Sequence, residues 1–239
     1  MSLGKIKRFY KQVGAAAAAT GGFSVTLDGR PVRTPAGAPL ALPTIALAEA
    51  VAAEWQAQEG HVEPHSMPLM QLSATALDRI PPHREAIIDE LLQFAATDLL
   101  CYRATEPHDL IDRQGHHWQP LIDWAMTRFD APLRVTSGVM PVPQSAEALT
   151  ALRRAVAAFD HWRLTALQSA TAATGSLVLG LALIEGRLDA EAAFIASQLD
   201  ELYQIELWGD DTEAEIRRRR LHHDIAAAGR LVALLMPAE

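Results

Sequence analysis

One short stretch near the start of the chain has the period of a β-strand, and it limits the folds open to this sequence. Residues Phe23–Leu27 alternate apolar and polar side chains, as expected for a strand with one buried face. Asp28-Gly29 is a strong signal for a tight turn, and the alternation resumes at Val32–Thr34 on the return strand. A further short strand is predicted at Leu40–Leu42. A hairpin or meander of so few strands is not stable alone, so other elements must cover its apolar face.

Most of the remaining chain has the period of amphipathic helices. Thr44 is a predicted N-cap, and the apolar residues of Leu47–Trp55 recur at the spacing of a helix that faces a core. Pro81-Pro82 is predicted to separate a helix at 70–79 from one at 84–96. Further helices are predicted near residues 118–129, 145–158, 160–173, 175–185, 189–208 and 212–235.

These patterns predict an α+β fold with a small N-terminal part, a β-hairpin or meander with helices, and a larger all-helical C-terminal part. We place the division at residue 80, which gives an α+β domain over 1–80 and a helical domain over 81–239. The alanine run Ala15–Ala19 is short and precedes glycines, so we expect a flexible start rather than a signal peptide. The longest apolar run, Ser176–Ile184, is about half the length that spans a bilayer. It predicts a core helix, and no membrane insertion is expected.

Composition and motifs exclude several classes of function. The net charge of -8 argues against a nucleic-acid partner, because such proteins usually carry a basic excess. The single cysteine, Cys101, cannot form an internal disulfide and is expected to be a buried small hydrophobe. The chain lacks a phosphate-binding glycine loop, GxGxxG after a strand, GxSxG and HExxH, so we predict no cofactor and no catalytic residues.

The histidines are the remaining candidates for chemistry. His116-His117 and His222-His223 are adjacent pairs whose rings would diverge by about 100° on a helix, so no metal site is predicted. The region His108–His117 also contains Asp109 and Asp112. A small hydrolase-type enzyme that uses this region is therefore kept as an alternative, although the lack of a catalytic motif favours a binding protein.

An acidic segment around a tryptophan lies near the C-terminus, with a predicted helix break at Gly209. It has two interpretations. As a helix junction, its carboxylates would suit the positive N-terminus of the following helix, and Trp208 could belong to the core. As a binding site, it would have the acidic rim and large aromatic side chain of a protein-binding hot spot. The candidate partner-binding residues are Glu206, Trp208, Asp210, Asp211 and Glu213.

Four consecutive arginines follow this segment at Arg217–Arg220. Because Glu213 and Glu215 precede them at helical spacing, we expect i,i+4 ion pairs and a solvated face rather than a nucleic-acid contact.

Segments along nearly the whole chain resemble the Atp-twelve family of mitochondria and α-proteobacteria, the chaperones that assemble the α subunit of the ATP synthase catalytic head. The similar segments are Arg8–Lys11, Gly22–Pro35, Leu42–Thr44, Ala50–Gln58, Met67–Arg79, Thr97–Arg103, Trp118–Trp124, Ser176–Leu179 and Gln204–Gly209. The sequence departs from the family pattern at Met70, Gln71 and Ala74, where threonine, arginine and asparagine are expected. It also has Asp210 where glutamate is expected after Trp208-Gly209.

The resemblance implies a non-enzymatic mechanism. Such a chaperone would hold the free α subunit and shield its interface until the α subunit meets β, and the segment around Trp208 would face the client. The location implied is the cytoplasm for a bacterial chain, which the arginine and alanine bias favours, or the mitochondrial matrix for an organellar one. An adaptor or scaffold for another client on the same fold is the second alternative.

Overall fold

The computed structural model describes residues 6–18, 21–138, 140–209 and 211–236. The chain divides into two compact units. The first unit comprises Met1–His83 and Arg230–Glu239, and the second comprises Arg84–Gly229. The domain division at residue 80 stays a prediction. The fold class is confirmed: a small antiparallel sheet lies near the N-terminus, and the remainder is mostly helical.

The sheet of the first unit is antiparallel, with the strand order β1-β2-β3. The predicted hairpin is present, and its turn residues Asp28 and Gly29 have φ angles of 48° and 79°. Two positive φ values match the turn type that suits the twist of a hairpin, which explains the aspartate-glycine pair. The strands are β1 (Val13–Ala17), β2 (Phe23–Leu27) and β3 (Arg30–Pro31).

Strand β1 corrects the expectation of a flexible start. Val13 pairs with Leu27 and Ala17 with Phe23, so the first alanines of the run extend the sheet instead of forming a loose arm. The predicted strand at Leu40–Leu42 is replaced by isolated bridges, of Leu42 with Phe23 and of Pro39 with Arg33. Ala19 and Thr20 lie outside the described residues.

Two helices accompany this sheet, α1 (Ile45–Gln56) and α2 (Pro68–Asp78). The predicted cap is confirmed, because Thr44 Oγ1 accepts a hydrogen bond from the Leu47 amide at 3.2 Å. Helix α1 packs on β1 and β2 and buries Leu47 and Val51 completely. It thereby covers the apolar face of the sheet, as a sheet of three short strands requires.

The second unit is built from helices α3–α10, and α3 and α10 each extend into residues of the first unit. Helix α2 ends at Asp78, and Pro81 and Pro82 form a turn at the start of α3 that ends at His83, whose φ and ψ angles are not helical. The predicted separation of two helices at these prolines is therefore confirmed. The helix kinks at His83. The helices are α3 (Ile80–Ala96), α4 (His108–Phe129), α5 (Ala146–Ala157), α6 (His161–Thr174), α7 (Leu177–Ile184), α8 (Ala190–Ser197), α9 (Leu199–Trp208) and α10 (Thr212–Leu235).

Two features of this unit differ from the expected pattern. The single helix predicted at 189–208 is two helices, because Gln198 leaves helical geometry between α8 and α9. The C-terminal part is also not purely helical, since β4 (Tyr102–Arg103) pairs in parallel with β5 (Thr136–Ser137).

Helix α7 forms the centre of the second unit, and all eight of its residues are buried. A Cβ added at Gly180 would lie 2.5 Å from Thr171 Oγ1, so glycine is what allows α6 and α7 to approach this closely. The prediction of a core helix here is confirmed. Within the described ranges, no helix is long and apolar enough to cross a membrane.

Candidate partner-binding site

The predicted site lies at the junction of α9 and α10, which we call the Trp208 junction (residues 206–213). Helix α9 ends at Trp208, and the Gly209 amide donates to the Ile205 carbonyl at 2.8 Å. Gly209 has a φ of 86°, which an L side chain rarely tolerates, so the sharp exit from the helix depends on glycine. Asp211 then caps α10, because its Oδ2 accepts from the Ala214 amide at 3.2 Å. Asp210 lies outside the described residues.

Trp208 is not part of the core. Its side chain is 77% exposed, and the preceding Leu207 is 54% exposed. Ile216, in the second turn of α10, is exposed as well. A side chain exposed to this extent buries little apolar area and so adds little to the stability of the fold.

Beside Trp208 lies an open groove of about 500 Å³. Its charged lining comes from both helices. Glu201 in α9 forms ion pairs with Arg217 and, at 2.8 Å, with Arg218 in α10. The lining residues are Asp200, Glu201, Gln204, Ile205, Trp208, Gly209, Asp211, Ala214, Arg217 and Arg218. The groove therefore combines an aromatic edge with fixed charges of both signs.

The run Arg217–Arg220 does not form a uniformly solvated face. The expected i,i+4 pair is present between Glu215 and Arg219. Arg218, however, is only 6% exposed, and it binds Glu201 of α9 together with Arg217. These contacts connect α9 to α10, which a helical spacing argument cannot predict because the partner lies on another helix.

Glu206 is held on the surface by an ion pair with α4. Arg113 Nη1 lies 2.8 Å from Glu206 Oε2, and the Arg113 guanidinium lies over the ring of Tyr203, 5.2 Å from its centroid. The Tyr203 hydroxyl donates to both Asp109 carboxylate oxygens at 2.9 Å. Burial, followed by the hydrogen bond to Asp109, raises the pKa of Tyr203 above its ordinary value of 10.0. Both contacts position α9 against α4.

Glu213 lies in the first turn of α10 and is exposed. It lines a second open groove of about 560 Å³ together with Ala214, Ile216, Arg217 and Arg220. The structure thus places four of the five candidate residues on one helix–loop–helix segment. Asp211 and Glu206 also have structural partners, whereas Trp208 projects into solvent.

Comparison with known proteins decides the family. The family model described as the ATP12 chaperone protein matches residues 7–126. The chain belongs to the ATP12 chaperone family. A crystal structure of Atp12 from Paracoccus denitrificans is 44% identical, with a TM-score of 0.90 over 97% of this chain and 99% of that chain.

Two yeast proteins are similar along most of their length. "Protein atp12, mitochondrial" of Schizosaccharomyces pombe is 25% identical over 93% of this chain and 80% of its own. "Protein ATP12, mitochondrial" of Saccharomyces cerevisiae is 22% identical over 87% and 79%.

The histidine region of this ATP12-family chain does not assemble a site. His108, Asp112, His116 and His117 are all exposed on the single helix α4, and Asp109 is occupied by the Tyr203 hydroxyl. Among the residues described, no three His, Cys, Asp or Glu side chains are grouped so that they could hold a metal ion.

Sequence reasoning missed two buried charged residues among those described, Arg218 of the arginine run and Asp98. Its carboxylate accepts hydrogen bonds from Ser176 Oγ at 2.7 Å and from the amides of Val178 and Leu100 at 3.1 Å. Burial raises the pKa of Asp98 to about 6, against these hydrogen bonds, which lower it. The neighbouring Cys101 is buried as predicted, and burial followed by the charge of Asp98 raises its pKa to about 12. Asp98 caps the start of α7 and so has a structural role.

Proposed function

We propose that this protein is a non-enzymatic assembly chaperone for the F-type ATP synthase. It binds the free α subunit of the catalytic head and shields the α-subunit interface until the α subunit assembles with β. The observation that carries the proposal is Trp208, a large aromatic side chain that is 77% exposed in a member of the ATP12 chaperone family.

The Trp208 junction supports this role through its chemistry. A free subunit exposes apolar surface that its final partner later buries, and such surface binds a large aromatic side chain favourably. The carboxylates around Trp208 would add orientation and faster association more than affinity. A transient complex of this kind would bury on the order of 1,600 Å² in total. It need not be tight, because the larger final interface displaces it.

We assign client contact to Glu206, Trp208, Asp210, Asp211 and Glu213. The yeast relatives are named as mitochondrial proteins, which supports a mitochondrial matrix location if this chain is organellar. We propose the cytoplasm if it is bacterial.

The test is a pull-down of the wild-type protein and of Trp208→Ala against separately expressed α and β subunits, with β added as competitor. The wild type should capture α and release it to β. Trp208→Ala should weaken capture at least about tenfold, as loss of a hot-spot aromatic does. Its thermal unfolding midpoint should stay close to that of the wild type, because the lost side chain is exposed.

Met140→Ala provides the matched control, since Met140 is 74% exposed in the loop before α5. Its capture of α should equal that of the wild type. Glu206→Lys should abolish capture with little change in the midpoint, because its ion pair with Arg113 is a surface pair worth less than about 1 kcal/mol. Failure of the wild type to bind α would refute the proposed client, and full capture by Trp208→Ala would refute the proposed site.

A further inference from the structure

A groove of about 580 Å³ in the first unit shares no residue with the Trp208 junction. It opens beside the tight turn between β2 and β3 and reaches the last turn of α1. Its lining residues are Phe9, Tyr10, Leu27, Asp28, Arg30, Pro31, Val32, Arg33 and Trp55. We call it the Trp55 groove.

Three aromatic rings in edge-to-face contact line the Trp55 groove. The ring centroids of Phe9 and Tyr10 lie 5.3 Å apart, and those of Tyr10 and Trp55 lie 5.6 Å apart. The Tyr10 hydroxyl donates to the Trp55 carbonyl at 2.6 Å, which fixes the middle ring. Phe9 is nevertheless 68% exposed, so the array presents apolar surface to whatever enters the groove.

The charge of the groove is mainly positive. Arg30 and Arg33 are exposed on and beside β3, and Arg33 Nη1 donates to the neutral Gly37 carbonyl at 2.7 Å. The lining carboxylate, Asp28, accepts hydrogen bonds from the amides of Lys11 at 3.0 Å and Gln12 at 2.8 Å, and these bonds lie within the chain. Asp28 keeps its negative charge and interacts electrostatically with Arg30, so the lining has two guanidinium groups against one carboxylate and a small positive excess for an acidic ligand.

The lining residue Trp55 has a buried N–H group without an acceptor in the described part of the chain. Trp55 Nε1 is buried, and no hydrogen-bond partner for it exists among the described residues. A buried indole N–H normally has a partner, and leaving it without one costs free energy. Because this nitrogen is sealed from solvent, only the rest of the half-buried ring is open to a ligand in the groove.

From these features we infer that the Trp55 groove binds an extended acidic peptide segment of another protein, in which carboxylate and apolar side chains alternate. In an extended chain successive side chains point to opposite faces. The apolar side chains would contact Phe9 and Trp55, and the carboxylates would bind Arg30 and Arg33. The inference does not depend on the identity of the chaperone client.

The test uses a synthetic probe, a fluorescein-labelled eight-residue peptide of alternating aspartate and leucine, and its lysine-leucine counterpart. Binding to the full-length protein is followed by fluorescence anisotropy at low and high salt. The acidic peptide should bind, and its affinity should fall as salt rises, because exposed charges are screened. The lysine-leucine peptide should bind at least about tenfold more weakly, since like charges oppose each other.

Three variants locate the binding. Arg30→Glu/Arg33→Glu should weaken binding of the acidic peptide at least about tenfold. Phe9→Ala should weaken it several-fold, and Trp55→Phe, which removes only the N–H donor and part of the ring system, should weaken it less. Arg154→Glu is the matched control, because Arg154 is an exposed arginine on α5 of the second unit, and it should bind as the wild type does.

Circular dichroism spectra like that of the wild type would show that each variant is folded. Equal binding of both peptides, or acidic-peptide binding that the groove variants do not change, would overturn the inference. So would the absence of binding at millimolar peptide. Displacement of the acidic peptide by ATP at a lower concentration than by unlabelled peptide would assign the groove to a nucleotide instead and would also overturn it.

Discussion

The two units of this protein differ in how they use charge. Met1–His83 contains seven Lys and Arg residues against six Asp and Glu residues, whereas Arg84–Gly229 contains thirteen against twenty-two. The second unit therefore accounts for the acidic character of the chain, and the first is almost neutral. The counts alone would suggest that the second unit binds cations and that the first has no electrostatic preference.

The hydrogen-bond partners of the arginines change that expectation. In the second unit several arginines pair with carboxylates on or just beyond other helices, as in Arg128 with Glu185 and Arg153 with Asp89. In the first unit Arg33, which lines the Trp55 groove, donates to the Gly37 carbonyl. A carbonyl holds a guanidinium in place without cancelling its charge, so a nearly neutral unit can present a basic groove. Surface potential thus depends on partner type as well as on composition.

The largest expected effect is on the free energy of unfolding when one carboxylate is removed from each unit. Each of these carboxylates connects separate segments of the chain. Asp98→Ala would leave Ser176 Oγ and two amides without their buried acceptor, so we expect a loss of about 3–5 kcal/mol in the free energy of unfolding. Asp78, which accepts from Thr34 Oγ1 and the Ala36 amide in the first unit, is only half-buried. Asp78→Ala should therefore cost less. Urea unfolding of both variants measures this, and equal losses would contradict the expected ranking.

The next effect is a pH dependence that belongs to the second unit. Asp98 has a pKa of about 6 in the folded protein against an ordinary value of 3.8, so the folded state binds the proton more tightly. The stabilisation from protonated Asp98 is complete below about pH 4 and is lost as the pH rises through 6. The stability gap between the wild type and Asp98→Asn should therefore shrink by on the order of 3 kcal/mol between pH 4 and 7. Urea midpoints across this range test it, and a gap that widens with pH would show the opposite sign.

The smallest expected effect compares two tryptophans that differ in whether the indole N–H has a hydrogen-bond acceptor. Trp118 Nε1 donates to the Ala196 carbonyl at 2.8 Å within the second unit, and Trp118 is completely buried. Trp118→Phe should cost roughly 2 kcal/mol, through the lost hydrogen bond and a small cavity. Trp55→Phe in the first unit removes a donor with no described acceptor and should change the free energy of unfolding by less than about 0.5 kcal/mol. Chemical denaturation of both variants makes the comparison, and a larger loss for Trp55→Phe would reverse it.

Local signals in the sequence predicted those structural features that depend only on residues close together in the chain. The turn at Asp28-Gly29 and the cap at Thr44 each depend on a short-range hydrogen bond or a special φ angle, and both are confirmed. Strand β1 was not predictable in this way. Its alanines have low strand propensity, and β1 forms because Val13–Ala17 pairs with β2 and packs against α1.

The sequence by itself determined the fold class, the buried helix α7 and the family, because hydrophobic period, turn chemistry and family resemblance are all properties of the linear chain. It also pointed to the segment around Trp208. Only the tertiary structure decided that Trp208 is exposed, that Arg218 is buried against Glu201, and that Phe9 and Trp55 line one groove with Arg30. These outcomes depend on which residues distant in sequence come to lie beside each other, and a helical or strand period specifies only a face, not its neighbours.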